Sequence, residues 1–129
     1  YLNRTYRRDQ LAGIYRAAKV GLVTPLRDGM NLVAKEYVAC HDDGSGALVL
    51  SEFAGAADEL SQAYLCNPFD IESVKAALLN ALKALDDAPS TMTQRMLTMH
   101  QQVTEHDVQL WSQSFLGCLR QAEKQEAGA

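Results

Sequence analysis

The chain has 129 residues, 47% of them hydrophobic and 22% charged, which suits one ordinary soluble domain or part of a larger one. Its formal net charge of -4 argues against a nucleic-acid surface and against an anionic-membrane surface, and no apolar run is long enough to span a bilayer. Three cysteines, Cys40, Cys66 and Cys118, form no C-x-x-C pair; they argue against a disulfide framework and a zinc site, and read as small buried hydrophobes in a reducing, cytoplasmic setting.

The sequence opens on Tyr1 rather than methionine, without a signal-peptide pattern, so it is expected to be a piece of a longer protein. Arg4, Arg7 and Arg8 read as a solvated helix entrance. Asp9 to Ala18 then carries Leu11, Ile14, Tyr15 and Ala18 at helical spacing. Val20 to Thr24 is short and apolar and meets Pro25, which predicts a buried strand. Asn31 to Cys40 reads as a helix, and His41 to Gly46 as a loop. Ala47 to Ser51 is a second buried strand. "EFAGAADEL" predicts a tight turn into a short helix, and "AYLCNP" a third strand stopped by Asn67-Pro68. Asp70 caps a helix to about Leu85, with Val74, Ala77, Leu78, Ala81, Leu82 and Leu85 on one face. Asp86 to Pro89 is a hinge. Ser90 can cap a further helix in which Met92, Met96 and Met99 pack as core. Asp107 can cap a last one, striped by Leu110, Trp111, Ser114, Phe115, Cys118 and Leu119.

Strands alternating with helices at short intervals predict right-handed βαβ units on a parallel sheet. The expected class is α/β: a partial Rossmann-like domain with parallel strands, followed by C-terminal helices. Residues 1–86 are expected to form its partial ligand-binding, Rossmann-like part and 87–129 a helical segment of the same domain. Three strands are too few for a complete doubly wound sheet, so further strands are expected before Tyr1.

In such sheets ligands sit beyond the carboxyl ends of the strands. Pro25 to Gly29 occupies that place, and Gly29 lets a ligand approach the backbone. The N–H groups at the start of the next helix favour an anion, most often phosphate. Glu36 follows Leu32 on one helix face, about 6 Å along the axis. That spacing suits a sugar joined to the phosphate, with the carboxylate on ribose hydroxyls. Asp28 can accept hydrogen bonds from a second sugar. A plain cap-and-turn at Asp28-Gly29 and a solvated face at Lys35-Glu36 stand beside this reading. Neither a P-loop nor G-x-G-x-x-G occurs.

"TPLRDGMNLVAKEYVA", followed by "GALVLSEFAGAADEL" and "NPFD", closely resembles the trehalose-6-phosphate synthase family. The resemblance runs from "YLNRTYRRDQLAGIYRAAKVGLVTPLRDG" to "DVQLWSQSFLGCL". It implies the C-terminal, donor-binding part of a retaining glucosyltransferase of GT-B architecture, a two-domain Rossmann-like enzyme. The resemblance implies UDP-glucose as donor, glucose 6-phosphate as acceptor, and no cofactor or metal. Asp28, with backbone N–H groups of Gly29 and Met30, would hold the donor glucose. Groups around Asn31, Leu32 and Val33 would meet the diphosphate, and Glu36 the ribose. The departing phosphate would take the acceptor's proton, so no catalytic nucleophile is expected. The acceptor-binding N-terminal domain and an Arg/Lys pair for the diphosphate would lie before Tyr1, so the chain alone is expected not to turn over. Contact with nucleic acid or membrane is not expected; a homo-oligomer is compatible with the sequence. A sister enzyme such as glucosylglycerol-phosphate synthase, a non-catalytic synthase-like module and an unrelated α/β binding domain are the alternatives.

Other residues carry weaker signals. Glu52 either faces the site or caps the helix expected from Ala54. Gly55 reads as permitting close helix–sheet packing rather than ligand contact. His41, His100 and His106 lack metal spacing and read as surface or capping histidines.

Overall fold

Three parallel strands, in the order β1-β2-β3, position everything else in this computed structural model, which describes residues 1–106. They are β1 (Val20–Val23), β2 (Ala47–Ser51) and β3 (Tyr64–Cys66), with Val20 opposite Ala47 and Val49 opposite Tyr64. Helix α1 (Arg8–Ala17) precedes the sheet. Helices α2 (Leu32–Ala39) and α3 (Ala56–Glu59) make the two crossovers, and α4 (Ile71–Asp87) and α5 (Pro89–Glu105) follow β3. The class is the expected α/β, Rossmann-like arrangement.

β2 explains the layering. Every residue of "ALVLS" is buried, as a central parallel strand covered on both faces requires. Successive side chains point to opposite faces. Leu48 and Leu50 therefore join one core with Ala34, Tyr37 and Val38 of α2, while Ala47 and Val49 join a second with Ala77 and Ala81 of α4. The expected methionine stripe spans both: Met92 enters the α4 core, and Met96 and Met99 the α2 core. β1 is less covered, and Leu22 is 49% exposed.

Local chemistry sets the helix ends. The Asp70 carboxylate accepts the Glu72 N–H at 3.0 Å and starts α4 as expected. The expected cap at Ser90 is not what forms: α5 begins at Pro89, with Ala88 alone between the two helices and Ser90 inside the first turn. Proline at the first helical position needs no N–H partner and has its φ already set, so it outcompetes a serine cap one residue later. Leu82, expected on the buried face of α4, is 43% exposed. Cys66 is buried and Cys40 half-buried at the end of α2. His41 is buried, and its Nδ1 lies 2.7 Å from the Tyr37 carbonyl, capping α2. The arginine entrance is exposed as expected, and the Arg7 N–H donates to Gln10. The expected last helix, including Cys118, lies outside the described residues.

α1 is tied to α2 at the far end. The Arg16 guanidinium donates to the Cys40 carbonyl at 2.8 Å, to Asp42 at 2.6 Å and to Asp43 at 3.0 Å. On the sheet side, a Cβ on Gly21 would sit 3.0 Å from the Tyr37 ring, so glycine lets α2 lie close on β1. The Tyr37 hydroxyl donates to the Ala18 carbonyl at 2.9 Å, and burial pushes its pKa up to about 12.

Candidate functional site: the crossing of two loops and the start of α2

The connections leaving β1 and β2 cross at the carboxyl end of the sheet. The Asp28 N–H donates to the Phe53 carbonyl at 3.3 Å, Gly55 N–H to the Asp28 carbonyl at 2.9 Å, and Ala56 N–H to the Met30 carbonyl at 2.6 Å. A parallel bridge between Asp28 and Ala54 marks the same contact. Gly55 makes it possible. A Cβ there would come within 2.7 Å of the Gly29 carbonyl carbon, and closer still to its oxygen. The tight packing expected of Gly55 is thus against a loop backbone rather than between helix and sheet. A Cβ on Gly29, by contrast, would meet nothing within 4 Å. One glycine is filled by its neighbour; the other faces open space.

The Asp28 side chain turns back on its own loop. One carboxylate oxygen accepts the Met30 N–H at 3.1 Å, and the other accepts the Asn31 side-chain amide at 3.2 Å. The Asn31 carbonyl oxygen accepts the Ala34 N–H at 2.9 Å and caps α2. Asn31 has φ 78°. Among the described residues it is the one non-glycine with positive φ. Asparagine tolerates that region better than most residues. Here the unusual backbone lets one amide serve Asp28 and α2 together.

Beyond Asn31 the first turn of α2 presents Leu32 and Val33. Helix geometry leaves their N–H groups without intrahelical acceptors, and both residues are exposed, Leu32 by 62% and Val33 by 47%. The helix dipole adds positive character there. Asp28, Gly29, Met30, Asn31, Leu32 and Val33 are thus brought together on one rim.

Glu36 lies one turn further along α2 and is exposed. The Tyr15 hydroxyl, on α1, donates to its Oε2 at 3.1 Å. Burial, and then the hydrogen bond to Glu36, raise the Tyr15 pKa above the ordinary phenol value. Tyr15, Glu36, Arg8 and Cys40 line a cavity of about 330 Å³ between α1 and α2. Lys35 does not share Glu36's environment: it pairs with Glu59 of α3 at 2.7 Å, with only 17% of its side chain exposed. The solvated-face reading of Lys35-Glu36 therefore fails for Lys35.

Other candidates sit apart. Glu52 is exposed and does not cap α3, whose N-cap is Gly55, because the helix starts at Ala56 rather than Ala54. Ser51 is buried and its hydroxyl accepts the Phe53 N–H at 3.1 Å. The ring of His106 caps α5 through the Gln102 carbonyl at 3.0 Å. A larger hollow of about 520 Å³ opens beside Gln62 and the start of α5, with Ser90, Thr91 and Arg95 in its wall. Gln62 precedes β3, so this hollow lies at the amino end of that strand, away from the crossing. Among the described residues, no group of His, Cys, Asp and Glu is arranged to hold a metal ion, and no helix is long and apolar enough to cross a membrane.

Tyr15 belongs to the apolar stripe of α1 in the sequence, and nothing there points to Glu36, which lies 21 positions later. The positive φ of Asn31 and the loop partner of Gly55 had no sequence signal either.

Three parallel strands with helical crossovers define a Rossmann-like α/β domain, and the loop crossing and the start of α2 lie beyond the carboxyl ends of its strands. The sequence profile of glycosyltransferase family 20 matches residues 1–121, and the chain belongs to that family. It is 54% identical over 127 residues to the trehalose-6-phosphate synthase of Mycobacterium leprae, covering 98% of this chain and 25% of that protein. The Mycobacterium tuberculosis synthase is 53% identical, over 99% of this chain and 25% of its own. Among solved structures, the Escherichia coli protein described as bound with UDP-2-fluoro glucose superposes with a TM-score of 0.82 at 47% identity, over 94% of this chain and 26% of that one. The Burkholderia xenovorans UDP-forming synthase in complex with glucose-6-phosphate gives 0.80 at 47%, over 93% and 26%. The chain thus spans about a quarter of the length of these relatives.

Proposed function

We propose that this chain is the donor-binding part of a retaining glucosyltransferase that makes trehalose 6-phosphate from UDP-glucose and glucose 6-phosphate. The observation that carries the reading is the linear order on one rim: Asp28, the open backbone at Gly29, the start of α2, then Glu36. The order matches a nucleotide sugar laid lengthwise. Asp28 and the backbone of Gly29 and Met30 hold the glucose. The backbone from Asn31 to Val33 holds the diphosphate, and Glu36 the ribose hydroxyls. The names of the relatives favour this ligand class over others that a helix start can bind.

Chemically, the rim supplies position and charge stabilisation. Negative charge grows on the diphosphate as the glucosyl bond breaks, and N–H groups at the start of α2 are already aimed there. Both Asp28 oxygens are held by neighbours, which suits a hydroxyl acceptor more than an attacking nucleophile. The departing phosphate takes the acceptor's proton. The acceptor site and the basic pair for the diphosphate belong to the rest of the protein. In this proposal residues 1–86 carry the donor site.

A coupled assay of UDP release tests the reading. The full-length protein should release UDP from UDP-glucose only when glucose 6-phosphate is present, while the 129-residue chain alone should not turn over. Release driven by glycerol 3-phosphate, with none from glucose 6-phosphate, would transfer the proposal to a sister enzyme.

A further inference from the structure

Glu36 has one side-chain partner among the described residues, and it comes from a different helix 21 positions earlier in the chain. We propose that Tyr15 is a positioning residue for Glu36: its hydroxyl fixes the plane of the carboxylate that receives the ribose, so the diol meets a preset acceptor. The inference rests on the ribose assignment of Glu36 given above.

An exposed glutamate alone turns about three side-chain torsions, and a ligand that stops this motion loses affinity in proportion. Tyr15 removes that freedom beforehand. Its ring is packed against the core that contains Tyr37 and Val38, so the hydroxyl is delivered from a fixed base. α1 is itself held to the end of α2 by Arg16, through the Cys40 carbonyl, Asp42 and Asp43. The two helices therefore cannot slide apart without breaking those bonds. A phenol is protonated at neutral pH, and burial and Glu36 raise the Tyr15 pKa further, so it acts as a donor there.

The stoichiometry leaves room for the ligand. Each carboxylate oxygen accepts about two hydrogen bonds. Tyr15 uses one position on Oε2, and Oε1 accepts no hydrogen bond among the described residues. A vicinal diol can then take one bond from each oxygen. A hydroxyl donor held at 3.1 Å also sets which way the carboxylate faces. Phenylalanine would keep the ring and remove only this control.

The test measures Kd for UDP and for 2′,3′-dideoxy-UDP by calorimetry on the full-length protein, with Tyr15→Phe, Glu36→Gln and the double variant. The ratio of the dideoxy-UDP constant to the UDP constant reports the ribose contact alone. Tyr15→Phe should lower that ratio by about threefold to tenfold, the range of one ordinary hydrogen bond. It should leave dideoxy-UDP affinity unchanged, and the double variant should be no worse than Glu36→Gln. If Tyr15→Phe keeps the ratio while Glu36→Gln loses it, the positioning role is overturned and the ribose assignment stands. If Tyr15→Phe weakens both ligands equally, Tyr15 supports the fold rather than Glu36, which also overturns the role. If Glu36→Gln keeps the ratio, the ribose assignment falls and the inference falls with it.

Discussion

The loop crossing and the α1–α2 pair are built by opposite means. At the crossing, backbone holds backbone: three N–H···O bonds join residues 28–30 to 53–56, and Gly55 leaves no room for slack. At the α1–α2 pair, two side chains hold each other across a cavity. The first arrangement places main-chain groups and resists change of any kind. The second tunes one carboxylate and can be altered by a single oxygen. In the proposed donor site the glucose and diphosphate would fall to the rigid station and the ribose to the adjustable one.

The sharpest way to break the rigid station is Gly55→Ala. The added methyl has no space against the Gly29 carbonyl, so loop 28–30 must move. Stability should fall by about 1–3 kcal/mol, as for other overpacked sites, read by urea denaturation. A displacement of about 1 Å at the donor should lower full-length turnover about 100-fold. Near-normal turnover would show that the crossing does not set donor geometry.

Asn31 separates capping from anchoring. Asn31→Ala should cost about 1 kcal/mol through the lost cap, and Asn31→Gly only a few tenths, because glycine accepts the positive φ. Both release Asp28. Both should therefore weaken UDP-glucose binding by about the same factor, roughly tenfold for a lost anchor to a charged group, whatever their stability. Affinity that tracks stability instead would mean that Asn31 acts only as a cap.

These two residues also show what the sequence made legible. The strands were readable because β2 is apolar on both faces and Pro25 and Pro68 punctuate the chain. α2 and α4 were readable because Asn31 and Asp70 are cap residues ahead of apolar periodicity. The rim from Asp28 to Glu36 stood out because its chemistry is consecutive in sequence. The partners of that rim did not. Gly55 meets Gly29, and Tyr15 meets Glu36, across separations that only the folded chain closes. Ser90 misled because it is a good cap type placed one residue too late, after a proline already suited to the first turn.

The smallest expected effect lies at the tether of α1. The Arg16 guanidinium beside Asp42 holds that carboxyl below the ordinary value. A depressed folded pKa contributes stability above the unfolded value, about pH 4, and loses it as pH falls through the lower folded value. The melting temperature should therefore drop in that acid window, and Arg16→Ala should flatten the drop. An unchanged acid limb in Arg16→Ala would remove the tether from the account of how α1 is held.

The central claim is that the start of α2 receives the diphosphate. Backbone amide shifts of the full-length protein during titration with UDP test it most directly. The account predicts the largest shifts at Leu32 and Val33, with Glu36→Gln weakening binding while leaving those residues the most shifted. Shifts centred on Arg95 and Thr91, with Leu32 and Val33 silent, would contradict it.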